Sequence, residues 1–218
     1  MFTLIKREIS DNLVYFVAAA ALSALMVFLF VTATYRTHSA YSDEMDLARM
    51  MVMPLSIPLI FLSMIGTCAM GSSQMYTDKH RRVSALLTTL PMTRSTILIA
   101  RVLAGLLAIL ILLVPIALTA AFTASIRVPP LFLPLVYNLL LKGSVCVLLL
   151  YVASYCIGLQ TGWTGDRVIP TLGALVLSLI LLSIFTIKGL TAHTVVILTL
   201  FVTASIIRTW VKFTSASL

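Results

Sequence analysis

Long apolar runs alternate with short polar breaks along the whole chain, and the lengths of the runs set the first expectation. A helix needs about 20 mostly apolar residues to cross the hydrocarbon of a bilayer. Six runs approach or exceed that length: Leu13 to Thr34, about Met51 to Ser73, Ile97 to about Ser125, Leu131 to Gln160, Val168 to Ile187 and Thr191 to Ile207. The runs are continuous and lack the period of two that barrel strands show, and an open sheet edge has no place in lipid. The pattern predicts an all-α, polytopic membrane protein with six transmembrane helices, folded as a single transmembrane domain over residues 1–218.

Several runs carry irregularities. Pro54 and Pro58 lie in the second and Pro115 lies deep in the third. Each removes a backbone hydrogen bond and is expected to bend its helix. The fourth run is too long for one simple crossing and contains Pro134 and Lys142. Residues 129–141 are therefore expected along the outer interface, with the crossing proper starting near Gly143. Lys6 and Arg7 precede the first run, as in a signal peptide, but its 22 residues exceed the usual apolar core of one. It is read as a retained first span.

Composition strengthens this picture. Hydrophobic residues make up 61% of the 218 and charged residues 10%, against about 25% charged in soluble domains. So few charges cannot cover a core that apolar, and a soluble globule is excluded. The net charge of +8 would suggest nucleic acid in a soluble protein. Here the basic residues sit at the ends of runs with no stacking aromatics among them, which points to membrane orientation and to no nucleic-acid partner. Cys68, Cys146 and Cys156 lie inside runs without metal-type spacing and read as small hydrophobes.

Sorting Lys and Arg by the six spans gives ten on one side (Lys6, Arg7, Lys79, Arg81, Arg82, Arg94, Arg101, Arg167, Arg208, Lys212) and five on the other (Arg36, Arg49, Arg127, Lys142, Lys188). The richer side is cytoplasmic by the positive-inside rule, so both termini are expected inside a cell membrane, bacterial inner or plasma membrane. The largest outer loop, Tyr35 to Met50, holds Asp43, Glu44 and Asp46. No Asp, Glu, Lys or Arg falls at mid-span, which counts against proton relays and ion-coupled carriers. Ala100, Ala104 and Ala108 form a small-residue stripe on the third span. Such a stripe serves either packing within the chain or a dimer contact.

Two cytoplasmic stretches are amphipathic. In residues 1–12, Phe2, Ile5 and Ile9, with Leu13 beyond, share one helical face. That suits a helix lying in the membrane surface, and equally a charged lead-in to the first span. In residues 77–94, Val83, Leu86, Leu87 and Leu90 form one apolar face behind a basic cluster of Lys79, His80, Arg81 and Arg82. Pro91 ends that helix, and Thr93 or Ser95 can cap the next. The stripe either docks on lipid headgroups or inserts into a groove on another protein. His80, His38 and His193 have no second catalytic group at useful spacing and read as solvated.

The stretch D-K-H-R-R-V-S-A-L-L-T-T-L-P-M-T-R-S-T-I-L-I-A-R-V-L resembles the loop between the second and third spans of ABC transporter permeases of the type-2 exporter class. The matching positions are Asp78, Lys79, Leu86, Leu87, Leu90, Pro91, Thr93, Arg94, Ala100 and Arg101, and L-I-K-R-E-I resembles the N-terminal elbow helix of that family. The sequence departs from the family in carrying Asp78 where Glu is usual, and Val83 and Ser84 where a Gly usually follows the basic pair. Lys188 to Thr191 also leaves no room for a re-entrant hairpin between the last two spans; the Pro129 to Leu141 piece is the candidate substitute.

The resemblance implies that residues 77–94 form a coupling helix docked on a separate ATPase through Asp78, Lys79, Arg81, Arg82, Val83, Leu86, Leu87, Leu90, Pro91 and Arg94. It implies two ATPase subunits carrying ATP and Mg, and a second permease chain in a homo- or heterodimer. Arg94 and Arg101 are expected at headgroup level. This chain has no G-x-x-x-x-G-K-[ST] phosphate loop, so ATP hydrolysis and cofactors are expected on the partner alone. The expected function is a permease subunit exporting a hydrophobic or amphiphilic substrate. The alternatives are a membrane scaffold or regulator of an ATPase, and, with no catalytic set in the sequence, an integral membrane enzyme.

Overall fold

The computed structural model describes residues 2–39, 59–76, 94–162 and 192–215. These form six helices: α1 (Phe2–Asp11), α2 (Leu13–Ser39), α3 (residues 59–76), α4 (Arg94–Arg127), α5 (Leu133–Gly162) and α6 (Ala192–Ser215). Three are long and apolar enough to cross a membrane, over Leu13–Thr32, Ser95–Ile126 and Leu133–Gly162, and Val195–Val211 is a shorter apolar stretch. At about 1.5 Å per residue, the 34 residues of α4 span roughly 50 Å, more than the ~30 Å of bilayer hydrocarbon.

Asn12 separates α1 from α2. Its backbone N–H and its side-chain Nδ2 both donate to the Glu8 carbonyl, at 3.1 and 2.9 Å, while its own carbonyl accepts from Tyr15 N at 2.9 Å. One residue thus closes the first helix and opens the second, satisfying backbone groups that a helix end leaves bare.

The directions of the helices follow from their contacts. Ser63 and Tyr151 are joined at 2.7 Å, Ser154 Oγ donates to the Met64 carbonyl at 2.8 Å, and Gly162 lies against Ser72. Numbers rise together on both helices, so α3 and α5 run parallel. Gln160, near the end of α5, meets Ser205 and Thr209 in the last half of α6. Glu8 and Met75 both meet Arg101, which places α1, the end of α3 and the start of α4 together. The ends of α5 and α6 lie there too; the opposite end carries the turn at Pro130.

The core lies between α3, α4 and α5, around Met64, Ala104, Ile109, Tyr155 and Leu159. Large apolar side chains such as Phe28, Leu118, Phe122, Leu135 and Leu200 stay exposed, as lipid-facing residues do when hydrocarbon is the solvent. Ala100, Ala104 and Ala108 are all buried, so the alanine stripe packs within the chain.

Two expectations are corrected. The fourth run is one unbroken helix from Leu133 to Gly162; residues 133–141 are neither a separate interfacial piece nor a hairpin. Pro134 sits in the first helical turn, where its missing N–H costs nothing, and Gly143 does not interrupt a helix held by its neighbours. The outer loop expected from Tyr35 starts later, because α2 continues to Ser39. Pro115 lies inside α4, which is helical on both sides of it. Pro54, Pro58, the fifth span at 168–187 and Lys188 to Thr191 lie outside the described residues.

Candidate functional site

The start of α4 is where polar chemistry gathers. Arg101 follows Arg94 by two helical turns and its side chain is 2% exposed. Its Nε lies 3.3 Å from Glu8 Oε1, and its Nη1 donates to Met75 Sδ at 3.6 Å. Whatever its depth, Arg101 does not face lipid headgroups with its side chain but turns into the bundle. The guanidinium is enclosed by α1 and α3 and neutralised by an acid from a helix 93 positions earlier. Burying a charge in this way requires a paired, hydrogen-bonded counter-ion, and Glu8 supplies it from the face of α1 that meets α4.

Tyr155 of α5 completes the cluster. Its hydroxyl lies 2.6 Å from Gln74 Oε1 and 3.0 Å from the Arg101 carbonyl, both as acceptors, so its single proton serves one at a time. Gln74 is buried, and its Nε2 has no hydrogen-bond partner among the described residues. Gly105 makes room for the Tyr155 ring: a Cβ there would overlap the ring carbons. Four helices, α1, α3, α4 and α5, are thereby tied together at one level.

The second feature is the seam between α3 and α5. A Cβ on Gly158 would run into the Cys68 carbonyl, one on Gly71 into the Tyr155 carbonyl, and one on Gly162 into the Ser72 backbone. All three obstacles are main chain, so the helices are in backbone contact. The sequence signal was present as S-x-x-x-G-x-x-x-G, Ser154 to Gly162, the small-residue spacing that allows close approach of membrane helices.

Of the residues expected to dock an ATPase, Asp78, Lys79, Arg81, Arg82, Val83, Leu86, Leu87, Leu90 and Pro91 lie outside the described residues, and so do His80 and Thr93. Arg94 is the first residue of α4, which places Ser95 within the helix rather than at its cap. The helices on either side of that segment are described, and both enter the cluster directly: Gln74 and Met75 before it, Arg101 after it. Cys68, Cys146 and Cys156 are buried and none is in a disulfide. Among the described residues, no three His, Cys, Asp or Glu side chains gather as metal ligands would. Comparisons with protein-family models, with curated proteins and with solved structures give no match.

Proposed function

We propose that this chain is the membrane-spanning subunit of an ATP-driven ABC exporter of the type-2 class. Residues 77–94 would be the coupling helix, docked on a separate ATPase that binds ATP and Mg. Two ATPase subunits and a second permease chain, identical or not, would complete the assembly, and α1 would serve as the elbow helix. Six crossings, counting residues 168–187 as the fifth, would set both termini and the coupling segment on the cytoplasmic side of a bacterial inner or plasma membrane. The cargo would be hydrophobic or amphiphilic.

The observation that carries this reading is the cluster around Arg101. A docked motor moves a bundle only if the lever between them is stiff. Residues 77–93 are bracketed by two helices whose adjoining turns are cross-linked through Gln74, Met75, Tyr155, Arg101 and Glu8. Force applied to the segment reaches α1, α3, α4 and α5 together. An unanchored lipid-binding loop has no need of such bracing.

The test is co-purification. The wild-type chain is expected to bring down a nucleotide-binding partner with ATPase activity. Replacing Leu86 and Leu87 together by Asp puts two charges on the apolar face and is expected to abolish that pull-down while membrane insertion is kept. A partner retained at normal yield would remove the docking role.

A further inference from the structure

Toward the Pro130 end, α2, α3, α4 and α5 diverge around a cavity of about 460 Å³. That volume falls within the roughly 300–1,000 Å³ of small-ligand sites. Its walls come from one face of each helix: Met26, Leu29 and Phe30 on α2, Leu113, Ile116, Ala117 and Ala120 on α4, and the stretch from Leu139 to Tyr151 on α5. Among the described residues, no charged side chain lines it. The hydroxyls in its wall belong to Ser144 and Tyr151, and Ser63 engages the latter at 2.7 Å.

These walls decide what can occupy the space. A buried water needs two to four polar partners; the described walls offer only Ser144 and a Tyr151 hydroxyl already engaged by Ser63, so most of the space favours hydrocarbon over water. A void of this size left empty forfeits the dispersion contacts of every lining side chain. A helix of a second chain, about 10 Å across with its side chains, is too thick for it. Gly143 lines the cavity, and a Cβ built there would meet nothing within 4 Å, in contrast to the glycines of the α3–α5 seam. The space is therefore present at the backbone and is not merely a gap between rotamers.

We infer that this cavity is a binding site for one hydrocarbon chain of a membrane lipid, entering from the leaflet at the Pro130 end. The inference rests on the apolar spans and the cavity alone and is independent of the exporter reading. The occupant is recognised by shape and by the absence of charge, so chain length and saturation matter to it and headgroup chemistry does not.

The experiment uses the full chain in nanodiscs of phosphatidylcholine bearing a photoactivatable diazirine on one acyl chain, followed by peptide mapping. Peptides covering 113–120 and 139–147 are expected to be labelled several-fold more than the lipid-exposed stretch 196–200. Gly143→Phe is expected to remove that excess and leave the labelling of 196–200 unchanged, which also reports that the variant is inserted. Should Gly143→Phe fail to insert, Ser144→Phe fills the same wall from the next position and is held to the same criterion. Equal labelling of wall and exposed face, or an excess that survives the filled cavity, would overturn the site.

Discussion

At the scale of single residues, the decisive pair is Glu8 and Arg101. The arginine is shut away while the acid keeps 19% of its side-chain surface exposed, so the two are not equivalent on mutation. Glu8→Gln removes the carboxylate that faces the buried guanidinium and is expected to cost about 3 kcal/mol, the low end for a broken buried pair. Arg101→Leu is expected to cost less, because Glu8 can turn toward water. The double variant should recover most of the loss, since neither charge is then left unmatched. Thermal unfolding of the four proteins in one detergent closes the cycle; a Glu8→Gln variant as stable as wild type would show the pair to be incidental. None of this was legible beforehand, because burial of Arg101 depends on a partner 93 positions away. Depth along a helix is visible in a sequence; which neighbour stands beside a residue is not.

At the scale of elements, the seam between α3 and α5 separates two classes of glycine. Gly158→Ala would drive a methyl group into the Cys68 carbonyl. Main chain cannot move aside as a rotamer does, so the helices must part, at about 2 kcal/mol. Gly66→Ala and Gly143→Ala meet nothing within 4 Å and are expected to be neutral or to gain up to about 1 kcal/mol from helix propensity. Unfolding midpoints of the three variants check this, and equal effects would deny the seam its backbone contact. The elements themselves were partly legible. α2, α4 and α6 fall on predicted runs, and α3 occupies most of another. Run length failed on α5, where a proline and a lysine suggested a break before Gly143. Pro134 lies in the first turn, where prolines fit, and a mid-helix glycine costs little once packing holds the helix.

At the scale of the whole molecule, the arrangement of ends is the strongest prediction. Lys6 and Arg208 share one end and Pro130 the other. Single cysteines at the first two are expected to react with an impermeant maleimide only after permeabilisation, and one at Pro130 in intact cells. Native Cys68, Cys146 and Cys156 are buried and should contribute little background. Labelling of Lys6 and Pro130 positions from the same side would refute the antiparallel course. The sequence partition of basic residues agrees with this geometry for Lys6, Arg7, Arg101 and Arg208, because charge asymmetry and helix direction record the same crossings. The docking face on 83–90 rests on pattern and resemblance alone. The enclosed ion pair also bears on how the protein is made. Glu8 leaves the ribosome long before Arg101 exists, so α1 must wait in water or among headgroups for its counter-charge. A segment made early is therefore among the last to lock, and a chain truncated before residue 101 would never seat α1.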